Sequence, residues 1–160
     1  MTYLPKRIDM TATPAVDTYR FIEGERRPRL EDQDQLAALM LAAYRGSVDE
    51  EEETMEQAAT ELHKTFSGEY GTFLPQCSRV IERNGQIVAA TLVTGWQNQP
   101  FVAFTMTAPE FKRQGIARAS MLNTMQDVLK CGESLLSLVV TVQNEPAFNL
   151  YQSLGFVSGR

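Results

Sequence analysis

Residues 138–156 read LVVTVQNEPAFNLYQSLGF, and two kinds of element meet inside this stretch. The run 135–142, LLSLVVTV, is almost wholly apolar, a composition that predicts a strand buried on both faces. Asn144 stands at the mouth of that strand, where asparagine readily caps a following helix. Ala147 and Leu150 are spaced along the helix 145–154, Tyr151 lies beside them, and Gly155-Phe156 comes after it. Tyr151 has two readings at this point. It is one more aromatic on an apolar helix face, or its hydroxyl is presented for use.

Upstream, residues 108–122 read APEFKRQGIARASML, placing a proline, cations and a glycine just ahead of a helix. A helix N-terminus leaves its first amides without partners and carries a partial positive charge, so it accepts anions. Gly115 lets a ligand approach the backbone closely, while Lys112, Arg113 and Arg118 add charge at the same end. The arrangement suits a pyrophosphate. Its spacing is neither that of a P-loop nor that of a three-glycine dinucleotide fingerprint. A plain loop-to-helix start after Pro109 accounts for these residues equally well when they are taken alone.

Between and before these stretches the hydrophobic period changes repeatedly. Residues 1–17 read as a loose polar tail, followed by a short strand over 18–23. Leu36, Leu39, Met40 and Ala43 fall at helical spacing, with Asp32 and Gln35 as a cap and Gly46 as the stop. A second helix is predicted from Glu51, with Ser47 and Glu50 at capping-box spacing. Asn84-Gly85 marks a hairpin, and a turn at 97–100 leads to a further strand over 101–107. The helix that opens near Gly115 stops at Gly132.

Composition limits the function. The chain has 160 residues, enough for one domain with its own core. Its net charge of −5 runs against a nucleic-acid binder, and the cluster Arg26, Arg27, Arg29 reads as a solvated basic turn. Cys77 and Cys131 lie far apart without metal-ligand spacing, and so read as reduced thiols. No metal site is expected. The N-terminal residues lack the apolar core of a signal peptide, no stretch is long enough to span a membrane, and a cytoplasmic location is expected.

Taken together, the two stretches resemble the GNAT superfamily of N-acetyltransferases. The acyl-CoA loop of that family, Gln/Arg-x-x-Gly-x-Gly/Ala, is matched by KRQGIA, with Lys112 first, Gly115 fourth and Ala117 sixth. The second pattern, Leu-x-Val-x-x-x-Asn-x-x-Ala-x-x-Leu-Tyr-x-x-x-Gly-Phe, is met by Leu138, Val140, Asn144, Ala147, Leu150, Tyr151, Gly155 and Phe156. The match is close over 101–156. It implies an α/β (α+β) fold: a mixed, splayed, mostly antiparallel sheet flanked by helices, a single domain over 18–160 behind the tail.

The resemblance further implies acetyl-CoA as co-substrate, without a metal. Pantetheine is expected to pair with the backbone of Thr105, Met106 and Thr107 like an added strand. The segment Lys112, Arg113, Gln114, Gly115, Ile116, Ala117 and Arg118 is expected to cradle the pyrophosphate, Asn144 to fix the pantetheine arm, and Tyr151 to protonate the departing sulfur. A primary amine, on a small molecule or a peptide, would attack the thioester directly in a ternary complex. The alternative is a catalytically silent acyl-CoA-binding module of the same fold. Partners other than the amine are not expected among nucleic acids or membranes.

Two departures from the family bear on mechanism. Some members place a glutamate where this chain has Val139, so the proton of the amine has no assigned acceptor; Glu82, Glu110 and Glu145 are unranked candidates. Only Val157 to Arg160 follow Gly155-Phe156, where the family usually continues through a full last strand, and a homodimer completing the sheet edge is one expectation. The acidic run VDEEEETMEQ reads as a charged helix start that favours the dipole, or, bordering the acceptor cleft, as a lure for a cationic amine through Asp49 to Glu53. His63 is placed on the solvated side of its helix, and Trp96 at a hairpin tip, as a lid or an exposed aromatic.

Overall fold

The computed structural model describes residues 6–52 and 54–158. Its described residues form four α-helices and one sheet of eight strands: β1 (Arg7–Ala12), β2 (Glu25–Arg26), α1 (Gln33–Tyr44), α2 (Met55–Ser67), β3 (Thr72–Phe73), β4 (Arg79–Arg83), β5 (Gln86–Trp96), β6 (Gln99–Thr107), α3 (Ile116–Lys130), β7 (Leu136–Thr141), α4 (Glu145–Ser153) and β8 (Val157–Ser158). The strand order is β2-β4-β5-β6-β7-β1-β8, with β3 pairing β5. All pairings are antiparallel except β6 with β7.

Local chemistry sets most boundaries. Asn84 (φ 53°) and Gly85 (φ 77°) both take the left-handed conformation that joins β4 to β5, as the Asn-Gly pair predicts. Gln97 and Asn98, at φ 53° and 64°, make the matching turn between β5 and β6. In α2 the cap is Thr54, whose Oγ1 accepts from Gln57 N at 3.1 Å while Gln57 Oε1 accepts from Thr54 N at 3.1 Å. The expected start at Glu51 is therefore corrected to Met55. Ser47 and Glu50 instead close a turn: Ser47 Oγ donates to Tyr44 O at 2.8 Å, and Glu50 Oε1 accepts from Gly46 N at 3.1 Å.

The N-terminal reading is corrected as well. Within the expected tail, residues 7–12 form β1, in register with β7 from Arg7↔Thr141 to Ala12↔Leu136. Its alternation buries Met10 and Ala12 and leaves Asp9 exposed. This strand covers the edge of β7, and β8 pairs with the far side of β1. No strand forms over 18–23; the short strand is Glu25–Arg26. Residues 1–5, 53, 159 and 160, which include parts of the expected tail, acidic run and C-terminal segment, lie outside the described residues.

Two apolar layers cover the two faces of the sheet. On one, α3, α4 and the residues just after α4 pack Met121, Met125, Val128, Tyr151, Leu154 and Phe156 against Met10, Leu136, Leu138 and Val140. On the other, α1 and α2 pack Leu36, Leu39, Met40, Ala58 and Leu62 against Val80, Leu92 and Met106. Each fully buried Leu or Met here contributes about 1.5–3 kcal/mol by leaving water.

Two features of β6 position the site. The pairing shifts between Leu92↔Phe104 and Val93↔Val102, so Ala103 is an extra residue and the inward alternation changes sense there. Beyond that point β6 and β7 diverge, since their only paired residues are Phe101↔Ser137. The sheet opens into a V along 102–107.

The cations of the N-terminal segment serve the fold. Arg26 is bound to Asp32 at 2.9 Å and Glu82 at 2.8 Å, and Arg27 to Asp127 at 2.8 Å, so the basic cluster is not a freely solvated turn. Arg79, 2% exposed, meets Asp127 at 2.6 Å and Glu25 at 2.5 Å and donates to Thr124 Oγ1. No helix among the described residues is long and apolar enough to cross a membrane.

Candidate active site

The open V has an anion cradle at one end. The first bond within α3 runs from Ala119 N to Gly115 O at 3.0 Å, so the amides of Ile116, Ala117 and Arg118 emerge from the helix end without helical partners. Arg113 (φ 66°) and Gly115 (φ 81°) turn the preceding chain around those amides. A Cβ built on Gly115 has nothing within 4 Å, so the space before it is open. Arg113, Gln114 and Arg118 are exposed around it, with Arg118 Nη1 donating to Ser153 Oγ at 2.6 Å. The ammonium of Lys112 turns the other way and donates to Ala43 O at 3.3 Å. This donor set fits a pyrophosphate.

Along the V, the β6 edge at Thr105, Met106 and Thr107 has no strand partner on the β7 side. Met106 sends its side chain into the α1–α2 layer. The Thr105 carbonyl accepts from the Tyr44 hydroxyl at 3.2 Å. Tyr44, from the last turn of α1, is a residue the sequence did not single out. Burial, and after it the nearby Tyr151 and acidic groups, push its phenol well above the usual range.

Tyr151 sits in α4, 6% exposed, with its ring edge-on to Phe156 at 5.9 Å. Burial first and the charge of Asp49 second raise its pKa, so the phenol keeps its proton at any physiological pH. Asn144 caps α4, accepting from Ala147 N at 3.4 Å, and also donates to Asp49 Oδ2 at 2.8 Å. The end of the acidic run, Met55–Gln57, is the capped start of α2, while residues 48–52 form a strap between α1 and α2 tied by Asp49 to Asn144 and by Glu51 to Arg7. Glu52, Glu56 and Glu61 line a groove of about 460 Å³ beside it, where burial and then the neighbouring Glu61 and Glu51 push Glu52 upward.

On the α1–α2 face a second cleft, about 600 Å³, opens at the same divergence. Phe101, Ala103 and Phe104 of β6 form its floor with Ser137 and Val139 of β7; Thr94 and Trp96 of β5, with Tyr70, form one end. Val139 is 43% exposed here, which corrects the expectation that this strand is buried on both faces. Asp9 and Thr11 of β1 form the opposite end, and Asp9 lies across from Val139 in register. None of the three carboxylates considered as bases lines this cleft, and Glu82 is engaged by Arg26. Trp96, 49% exposed, is a wall of the cleft, and His63 is exposed on α2.

The sequence also missed how close the cysteines are. Cys77 Sγ and Cys131 Sγ stand 3.9 Å apart, one buried and one exposed, at the C-terminal end of α3. They lie away from the V and take no part in it.

Residues 34–156 match the family model described as Acetyltransferase (GNAT) family. Among solved structures, a GCN5-related N-acetyltransferase from Sphaerobacter thermophilus superposes with a TM-score of 0.72 at 16% identity, over 98% of this chain and 49% of that one. The ribosomal-protein-S18-alanine N-acetyltransferase of Escherichia coli gives 0.66 at 20% identity, over 85% and 78%. A diaminobutyrate acetyltransferase from Paenibacillus lautus, in complex with its substrate L-2,4-diaminobutyric acid and coenzyme A, gives 0.60 at 19% identity, over 81% and 72%. The chain spans about half the length of the first of these. No curated protein sequence matches it.

Proposed function

The chain belongs to the GNAT acetyltransferase family, and on that premise we propose that it transfers an acetyl group from acetyl-CoA to a primary amine by direct attack in a ternary complex. The observation that carries this reading is the divergence of β6 and β7 beyond Phe101↔Ser137, beside the α3 end whose first amides have no helical partners; the acid the reading assigns is the buried Tyr151 of α4. Acetyl-CoA supplies the thioester. The amides of Ile116, Ala117 and Arg118, with the side chains of Arg113 and Arg118, hold the pyrophosphate. The β6 edge at Thr105 to Thr107 and the Asn144 amide fix the pantetheine arm.

The chemistry then needs few protein groups. The lone pair of the neutral amine forms the new C–N bond, the C–S bond breaks, and the sulfur takes the proton of Tyr151; the proton shed by the acylated nitrogen passes to water, and Tyr151 regains its own from solvent. Cys77 does not suit an acyl-enzyme route, since burial, followed by the neighbouring Cys131, pushes it up to about 12, and Cys131 stands at the opposite end of α3 from Gly115. The rival reading, a silent acyl-CoA-binding module, draws on Val139 standing where some relatives carry an acid.

Two measurements test the proposal. Acetyl-CoA should raise the melting temperature of the wild type, because a ligand bound only by the native state stabilises it. Gly115→Glu, measured against its own unliganded melting temperature, should lose that shift. A panel of primary amines assayed by release of the CoA thiol should then find turnover. CoA binding with no turnover on any amine would favour the silent module.

A further inference from the structure

The two thiols of the chain meet where α3 ends beside the start of β4. Cys77 closes the short turn Pro75–Cys77 just ahead of β4, its N–H donating to Leu74 O at 3.0 Å. Its carbonyl accepts from Thr124 Oγ1 at 3.0 Å, which pins this turn to α3, and its side chain is buried in the core. Cys131 caps the C-terminal end of α3: its N–H donates to Asp127 O at 3.1 Å, and Gly132, at φ 82°, stops the helix. The sulfurs are 3.9 Å apart, one shielded and one open to solvent. The two residues stand 54 positions apart in the sequence, so only the fold brings them together.

A disulfide holds its sulfurs at about 2.05 Å, so this pair must close by roughly 2 Å. Cys77 is fixed by backbone bonds on both sides, whereas the Cys131 side chain stands at an exposed helix end and can turn about its Cα–Cβ bond. The difference in exposure also divides the work between them. An oxidant arriving from solvent meets Cys131 first, while burial and next the neighbouring Cys131 hold Cys77 up at about 12, as a thiol. Oxidation of Cys131 removes its own share of that effect. The sulfur already in contact with it is then Cys77, the arrangement of an exposed thiol beside a resolving one.

We propose that Cys131 and Cys77 form a modification site for a small hydroperoxide, with Cys131 reacting and Cys77 resolving, and that its product is a disulfide fastening the end of α3 to the start of β4. In the first step the Cys131 thiolate attacks one oxygen of hydrogen peroxide and the O–O bond breaks. The leaving oxygen takes a proton and departs as water, and Cys131 is left as the sulfenic acid. In the second step Cys77 gives its proton to solvent and its sulfur attacks that of Cys131. The S–O bond breaks, and the hydroxide takes a proton and leaves as a second water. Two thiols have then lost two electrons and two protons to one peroxide. The 15 residues of α3 put the pair about 20 Å from the Gly115 end, so the site stands whether or not the V holds acetyl-CoA.

The experiment treats the reduced, folded protein with a few equivalents of hydrogen peroxide, alkylates any remaining thiol under denaturing conditions, and reads intact mass and linked peptides. The wild type should lose two hydrogen atoms, take up no alkyl group, and yield one peptide pair joined through Cys77 and Cys131. Dithiothreitol should restore both thiols. Cys77→Ala should leave Cys131 to gain oxygen instead, as the sulfinic and sulfonic acids, and Cys131→Ser should leave Cys77 unoxidised under the same treatment. Because the cross-link spans 54 positions of chain, the oxidised wild type should melt about 3–10 °C above the reduced form. Oxygen added to Cys131 of the wild type while Cys77 still takes the alkyl group would overturn the proposal. So would a disulfide formed only between two copies, a Cys77–Cys131 disulfide that lowers the melting temperature, or no oxidation of either cysteine.

Discussion

Asn144 donates its side-chain amide to the carboxylate of Asp49 at 2.8 Å, joining the mouth of β7 to the loop between α1 and α2. The contact ties the loop 45–52 to the start of α4. Removing it with Asp49→Ala leaves the Asn144 cap on Ala147 in place and frees the strap. Amides over 45–52 should then exchange with deuterium faster, at a cost of about 1 kcal/mol in stability. The Tyr151 phenol should also ionise at lower pH, because one of the two causes holding it up is gone. Unchanged exchange over 45–52 would mean that the strap is held elsewhere.

A second prediction concerns the buried ion pair behind α3. Burial pushes the Asp127 carboxyl up, but hydrogen bonds from Arg27 and Tyr19 and the charge of Arg79 outweigh it and hold the group below the usual carboxylate range. A depressed folded pKa adds stability that is present above the unfolded value of about 3.9 and is lost as pH falls through the folded value. Stability at neutral pH should therefore fall by about 1.5–3 kcal/mol in Asp127→Asn, which leaves the buried Arg79 with Glu25 as its carboxylate partner. Below pH 4 the variant should lose less further stability than the wild type. Denaturant melts at pH 7 and pH 3 measure both.

How much of this was legible in the sequence differs by element. The loop at Gly115, the α4 stretch and the Asn84-Gly85 hairpin are local features, and each is found where its residues place it. β1 was missed although Ile8, Met10 and Ala12 alternate, because six residues among Thr and Pro read as a tail until β7 supplies the partner. That one omission hid Asp9. Val139 was misjudged because an apolar run does not say that the neighbouring strand diverges and opens one face. Arg26 and Arg27 looked solvated since their carboxylate partners lie up to 100 residues away.

The cysteines yield a third prediction. The thiol of Cys77, held up to about 12 chiefly by burial and next by Cys131, has almost no thiolate at pH 8. Cys131 is exposed at the end of α3. Brief alkylation with iodoacetamide at pH 8 should add one group, which peptide mass spectrometry should place on Cys131, and Cys77 should react only after unfolding. Equal labelling of both would contradict the described packing.

A fourth prediction concerns the Thr94 hydroxyl, buried in β5 with no hydrogen-bond partner among the described residues. A buried, unpaired polar atom costs about 1–3 kcal/mol, so Thr94→Val, which replaces it with a methyl of similar shape, should leave the free protein as stable or more stable. A loss above about 1 kcal/mol in thermal melts would show that Thr94 Oγ1 has a partner in the folded state.

The central claim is that the V holds acetyl-CoA with Tyr151 poised to protonate the departing sulfur. General acid catalysis of this kind contributes about 10² to 10⁴ in rate. Tyr151→Phe removes the proton donor and keeps the ring that packs on Phe156. The deciding measurement is single-turnover thiol release from acetyl-CoA at saturating amine, wild type against Tyr151→Phe, with CoA affinity and melting temperature recorded for both. The account predicts a rate at least about 10² lower in the variant with affinity and melting temperature little changed, and thiol release at the wild-type rate would contradict it.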